Sequence, residues 1–367
     1  TPRVYGLQEA YTRFFADLDE GQQLIREYLD EGGDNNKFKE YDMLTNGKTL
    51  KEWLKFANSL RLRLAMRISN VDATLAKDQA TKALNDNQGV LEGARETIAV
   101  MGKNYINPLC AVAGWGEVYM NASMESIVNG YEDPRGKKWY NTALLEGYQK
   151  QLLGIPIGLP MKDGDANIYS FCSSLNTSTI GEKTGAVLMS AAEVWLLRAE
   201  AALRGYTKEN PRTCYEYGVS TSFTQWDCAG ASEYLESDKT PADYKDVVSG
   251  GKVGKDMKAL ITISPKWEED ADIETKLEKI ITQKWLACWP ESYEAWAEQR
   301  RTGYPKLFKV QSNTGKVIDT DIMIRRLPFS TDAATADPAQ YATLTEKLGG
   351  ADNGATRLWW DTGKNSF

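Results

Sequence analysis

Apolar residues that return every three or four positions, in blocks separated by long stretches without any period, most restrict what this sequence can fold into. From Leu7, the positions Tyr11, Phe14, Leu18, Ile25 and Tyr28 form one helical stripe that Gly32 and Gly33 close. Trp53, Ala57, Leu60, Leu64 and Ile68 repeat the stripe, with Arg61, Arg63 and Arg67 expected at its sides. Asp72 suits the N-cap of a further helix through Leu84, so this region predicts a helical hairpin. The period returns at Ser190 to Arg204, where Val194, Leu197 and Ala201 share a face and Gly205 ends the run. It returns again from Thr275 to Trp289 through Leu277, Ile281, Trp285 and Cys288 and, past Pro290, from Glu291 to about Arg301.

Between these blocks the sequence loses its regularity. Gly102 to Gly185 carries Pro108, Pro134, Pro156 and Pro160 among many glycines, and reads as an irregular excursion with a short helix around Met120 to Val128. Tyr206 to Lys266 reads as a second loop-rich stretch holding Trp226, Tyr234 and Tyr244. From Gly303 the chain is mostly irregular, apart from a short helix near Pro338 to Leu348. Helices that each need a partner, separated by loops, predict an all-α scaffold of tetratricopeptide-like helix pairs with long loop-rich insertions, although no clean repeat of about 34 residues is visible. Long ordered loops on such a scaffold are where function concentrates.

Composition narrows the chemistry. The 367 residues, 42% of them hydrophobic, can build a sizeable core. There is no histidine, which removes Ser-His-Asp and Cys-His catalysis, histidine bases and histidine-ligated zinc together. A net charge of −7 argues against nucleic acid as a partner. Cys110, Cys172, Cys214, Cys228 and Cys288 have no CxxC spacing, and an odd number cannot all pair within one chain; Cys214 and Cys228 are close enough to bridge a loop, but buried thiols are the favoured reading. No run reaches the roughly 20 apolar residues that span a bilayer. The chain opens inside a helical pattern, which implies a longer precursor.

Several blocks in order resemble the SusD/RagB-like outer-membrane nutrient-binding lipoproteins: WLKFANSLRLRLAMRIS at Trp53 to Ser69, YEDPR at Tyr131 to Arg135, GIPIGL at Gly154 to Leu159, and AEVWLLRAEAALRG at Ala192 to Gly205. WLACWPESYEAWAEQRRTGYPKL at Trp285 to Leu307, RRLPFS at Arg325 to Ser330 and RLWWDTG at Arg357 to Gly363 complete the series. The resemblance implies one SusD/RagB-like domain over residues 1–367, lacking the N-terminal anchor and first helices. It further implies a surface-exposed lipoprotein of the outer membrane, anchored by a lipid that this chain lacks. Such a protein captures oligosaccharide or polysaccharide for a SusC-type TonB-dependent transporter and carries out no chemistry. Capture of a peptide or glycoprotein glycan in the same complex, and a surface glycoside hydrolase, are the alternatives.

Carbohydrate binding asks for aromatic faces on loops, where the CH-rich side of a pyranose stacks, beside groups that bond hydroxyls. Trp115, Tyr119, Trp139, Tyr140 and Trp226 meet the first condition, with Asn121 and Asn141, and beside them Asp133 and Arg135, as polar neighbours. Trp53, Trp195, Trp285 and Trp296 lie on helical stripes and are assigned to the core, while Trp359 and Trp360 are expected to plug the scaffold. Asp133-Pro134-Arg135 and the Arg300 to Pro305 turn read as structural. Hydrolysis would need two acids flanking the bond, and no pair stands out among 51 acidic residues. Asp163, Asp165 and Asn167 imitate the start of a calcium loop, but Ile168 and Ser174 stand where its glycine and glutamate belong; no cofactor is expected, and structural calcium is unsupported.

Overall fold

The structure, a computed structural model, describes residues 3–364 other than 46, 103, 163, 165, 314, 316, 317 and 319–322. Helices dominate it, as the periodicity predicts. α1 (Leu7–Asp30) and α2 (Leu50–Arg67) lie together, and α2 turns directly into α3 (Ala73–Leu84). Thr49 and Glu52 form a capping box at the start of α2, and the Asp72 carboxylate accepts from the Leu75 N–H at the start of α3, each cap contributing about 1 kcal/mol. Among the described residues one antiparallel strand pair, β1 (Ile98–Val100) and β2 (Ala186–Met189) with Ile98 opposite Met189, closes the long excursion and delivers the chain to α7 (Ala191–Leu203). Within the excursion lie α4 (Pro108–Ala113), α5 (Ala122–Gly130) and α6 (Gly136–Trp139).

α7 is the central element, packed on α2, on α8 (Pro211–Gln225) and on α10 (Ile273–Ala287), which in turn pairs with α11 (Ser292–Thr302). The stretch expected to be loop-rich therefore contains a full helix, α8, and the short α9 (Ala231–Leu235). Its Ser, Thr, Tyr, Cys and Gly content gives α8 neither strong propensity nor an apolar stripe. Packing supplies what propensity does not: a Cβ on Gly218 would lie 2.6 Å from Leu196, so only glycine lets α7 and α8 approach this closely, and Tyr215, Val219 and Phe223 are buried. Pro211 at the first turn and the Asn210 cap set its start. α12 (Ala333–Ala336) and α13 (Pro338–Leu348) complete the helices near the C-terminus.

Charged side chains fill much of the junction of α2, α7, α10 and α11. Arg67 reaches Glu294 at 2.6 Å and Glu298 at 3.1 Å; Lys284 reaches Glu294 at 2.7 Å; Arg63 binds Glu193 through two nitrogens; Arg301 binds Glu200 and Glu298. Arg61 and Arg67, expected on the flanks of the α2 stripe, are buried because these partners meet them from other helices, Arg61 through Asp19, Gln22 and Gln79. Burial alone would raise the Glu294 carboxyl, yet Arg67, Lys284 and Arg63 hold it down at about 2. Trp360 lies with the Arg67 and Arg300 guanidiniums 5.1 and 4.9 Å from its ring, so the terminal RLWWDTG block does plug the scaffold. Because removing one member leaves buried charges unpaired, Arg301→Ala should lower stability by about 3–5 kcal/mol in urea denaturation.

The loop motifs are equally structural. Asp133 and Arg135 form a fully buried pair at 2.6 Å, with Arg135 also donating to Ser222 and Gln283. In GIPIGL, a Cβ on Gly154 would meet the Asn121 carbonyl oxygen at 2.4 Å, and Gly158 has φ +74°. The Gly154 N–H donates to the buried Glu125 carboxyl, which burial pushes up to about 8. All five cysteines are free thiols, Cys214 buried within α8 and Cys228 half-buried beyond it. Because the folded carboxyl of Glu125 titrates above its unfolded value, its ionisation opposes folding increasingly as pH rises from about 4.5 to about 8. Glu125→Gln keeps an acceptor for Gly154, and urea midpoints should show it more stable than the parent by about 1–3 kcal/mol at pH 8 and indistinguishable at pH 4.

Candidate functional site

α10 ends where α11 begins, and the corner between them projects indoles outward. Trp285 lies on the last turns of α10, Trp289 directly follows it, and Trp296 lies on α11. The residues of α11 that line the cleft are Ser292, Ala295, Trp296 and Gln299, at helical spacings of three and four, whereas Glu294, Glu298 and Arg301 face the ion pairs inside. One surface of a single helix thus opens on solvent while the other is locked in the interior.

Opposite this corner stand the loop residues around α5, and between them is a cleft of about 330 Å³. Trp285, Trp289, Trp296, Glu291, Ser292 and Gln299 from the corner line it together with Tyr140, Asn121, Val118, Leu175, Leu109, Leu307 and Met323. The cleft is thus walled by aromatic and aliphatic surface with a few convergent polar groups, the composition of a small-molecule pocket. Trp289 is fixed on several sides: its Nε1 donates to the Tyr140 hydroxyl at 3.0 Å, its ring stacks on Trp139 at 5.2 Å and 19°, and Trp226 meets it edge-on at 5.2 Å. Trp296 is held by its Nε1 donating to the Ile324 carbonyl and by the Arg300 guanidinium 3.6 Å from its ring. Ordering of the rings before ligand arrives reduces the entropy lost on binding.

Glu291 is the single formally charged side chain among the described residues of this lining. Its Oε2 accepts from the Glu294 N–H at 2.8 Å, capping α11. Burial raises its carboxyl to about 7; Arg63 pulls it down, Glu193 and Glu294 push it up. Burial likewise raises the Tyr140 phenol to about 12, so it enters the cleft as a neutral hydroxyl.

The loop residues expected to bind sugar divide into three groups. Tyr140 and Asn121 do line the cleft, although the Asn121 side-chain oxygen is committed to the Met124 N–H as the cap of α5. Trp139 is a correction: at 0% exposure it has no face to offer a ligand and serves as the backing of Trp289. Trp226 is half-buried in the same stack, 6.0 Å from Trp139. Asp133 and Arg135 are likewise consumed in the interior. Trp115, 69% exposed, stands beyond the end of α4; Tyr119 packs half-buried beside Tyr169 and Cys172; and Asn141 spends its amide on Ser174 and Leu175. Of the suspected calcium ligands, Asp163 and Asp165 lie outside the described residues, and Asn167 caps a 3-10 turn through the Tyr169 N–H.

Trp285 and Trp296, assigned to the core from their stripes, are instead half-buried cleft residues, and nothing in the sequence distinguishes Trp289 from other helix-end residues. The available signal was the density of indoles around Pro290, three within the twelve residues from Trp285 to Trp296.

Against known families, the profile described as "SusD-like: Susd and RagB outer membrane lipoprotein" matches residues 3–361. The chain belongs to the SusD-like family. A SusD homologue from Bacteroides vulgatus ATCC 8482 superposes with a TM-score of 0.95 at 57% identity, covering 98% of this chain and 72% of that one. A chitin-binding SusD homologue from Flavobacterium johnsoniae gives 0.91 at 36% identity, covering 98% and 73%. A SusD-like protein from Bacteroides thetaiotaomicron VPI-5482 gives 0.88 at 32%, covering 96% and 73%. Comparison with curated proteins returns no match. The tetratricopeptide-like arrangement of helix pairs expected from the sequence is thus the architecture of this SusD-like chain.

The division between backing ring and exposed ring is open to measurement. Trp139→Ala should cost about 3–5 kcal/mol of stability through the cavity it leaves, whereas Trp115→Ala should stay within about 0.5 kcal/mol, both read from chemical denaturation.

Proposed function

We propose that this SusD-like chain captures glycan at the bacterial cell surface, as an outer-membrane lipoprotein, and passes it to a SusC-type TonB-dependent transporter without altering it. The observation that carries the reading is the cleft at the α10–α11 corner. Trp289, Trp296 and Tyr140 are held in place by hydrogen bonds, Trp285 stands beside them, and the polar groups of the lining are few. Pyranose rings present flat CH-rich faces that stack on such indoles, while Ser292, Gln299 and the Tyr140 hydroxyl are suited to sugar hydroxyls. Similarity to a chitin-binding relative supports the same ligand class. Trp115, exposed beyond α4, offers a further ring to a chain of sugars that extends past the cleft.

The carboxylates support capture without hydrolysis. Glycoside cleavage uses two acids on opposite sides of the bond, and the described lining of this cleft supplies Glu291 alone. Transfer to a transporter rests on family membership and on the outer-membrane description of that family.

Calorimetry against a panel of plant, host and microbial oligosaccharides tests the reading. Trp296→Ala should weaken the bound glycan about tenfold, a loss in line with about 0.5–1.5 kcal/mol for an aromatic stack, with the folded far-UV circular dichroism spectrum retained. No reducing ends should appear on prolonged incubation; their appearance would establish a hydrolase, and unaltered affinity in the variant would move the site elsewhere.

A further inference from the structure

We propose that the α10–α11 cleft selects uncharged sugars and turns away uronic-acid and sulfated glycans, with the Glu291 carboxylate as the discriminating group. This rests on the glycan-binding reading above and specifies its ligand class.

The argument begins with what an anionic sugar would meet. Among the described residues of the lining there is no lysine or arginine to replace the water lost by an entering carboxylate or sulfate, and burying such a group unpaired is strongly unfavourable. Two guanidiniums do lie nearby, but their donors are directed elsewhere. Arg63 binds both oxygens of Glu193 and approaches Glu294 at 3.6 Å. Arg300 lies against Trp296 and donates to the carbonyls of Trp296 and Arg325. The one formal charge that faces the ligand is Glu291, and it is negative. For an uncharged sugar the same carboxylate is an acceptor for hydroxyl groups, so a single side chain favours one class and opposes the other.

The opposition is titratable. The groups that act on Glu291 come from four helices: Arg63 on α2, Glu193 on α7, Cys288 at the end of α10 and Glu294 on α11. Burial keeps the Cys288 thiol well above its ordinary range and therefore neutral. The charges of Arg63, Glu193 and Glu294 are tied into the interior pairs, which leaves Glu291 the group that changes charge near neutrality, at about 7. Above that pH it is anionic and repels an acidic sugar; below it, the repulsion is relieved.

The test uses the full chain and two sets of probes in calorimetry. One set is neutral, made of oligosaccharides of N-acetylglucosamine, glucose, mannose and xylose. The other is acidic, made of oligogalacturonides, hyaluronan fragments and sulfated glycosaminoglycan fragments. The neutral glycan that binds best is also oxidised at its primary hydroxyls, where it has them, to give uronates on the same backbone. The expected result is binding confined to the neutral set, with the oxidised form at least tenfold weaker at pH 8 and the gap narrower at pH 6. Glu291→Gln, which retains an oxygen to cap α11, should narrow the gap at pH 8 to its pH 6 size and remove its pH dependence. Equal or tighter binding of acidic glycans, or a gap insensitive to Glu291→Gln, overturns the selectivity and leaves glycan capture standing. Failure of every probe in both sets overturns glycan capture itself, and the selectivity with it.

Discussion

The ion pairs at the junction of α2, α7, α10 and α11 are what the remaining structure depends on. Each helix contributes at least one charged side chain that is satisfied only by another: Arg63 and Arg67 from α2, Glu193 and Glu200 from α7, Lys284 from α10, Glu294, Glu298 and Arg301 from α11. A hydrophobic interface tolerates sliding and rotation at moderate cost, whereas a misplaced buried charge is heavily penalised, so these pairs fix register between helices. The direction of the Glu294 shift, down to about 2 in spite of complete enclosure, expresses how closely its cationic neighbours surround it.

That framework explains which parts of the molecule were legible in the sequence. The apolar period made α1, α2 and α10 readable as helices, but only in α10 do the stripe residues Leu277 and Ile281 form the core as the pattern predicts. In α1 Phe14 and Tyr28 of the stripe are exposed, and in α2 the off-stripe Leu54, Leu62 and Met66 fill the core. α8 was not readable, because its order comes from the closeness that Gly218 allows against Leu196, a tertiary fact with no local signature. The ion pairs were hidden for the same reason. Arg67 and Glu294 are 227 positions apart, and a charge on a helix reads as a solvated one until its partner is known.

The site was legible in part. Two of the loop residues named as candidates, Tyr140 and Asn121, line the cleft, whereas Trp285 and Trp296 were read as core and the Arg300 to Pro305 turn as structural. What misled was the rule that aromatic residues on stripes are core and those on loops are available. A stripe says which residues share a helix face, not what that face meets. Trp285 and Trp296 share faces that no other element covers completely, whereas Trp139, in a loop-rich region, lies under Trp289 and Trp226.

α11 carries the two functions of the molecule on opposite sides, and this has a consequence for how the protein can diversify. Ser292, Ala295, Trp296 and Gln299 point into the cleft, while Glu294, Glu298 and Arg301 hold the interior, and the two sets interleave along eleven residues without sharing a position. Substitutions at Ser292, Ala295 and Gln299 alter the shape and polarity offered to a ligand without removing a partner of a buried charge, whereas Trp296 also covers the buried Arg300 guanidinium. Preference can therefore drift at nearly constant stability, through changes spaced three and four residues apart, while the alternate positions stay fixed. A lineage using this helix could retune what it captures many times over on one unchanged frame.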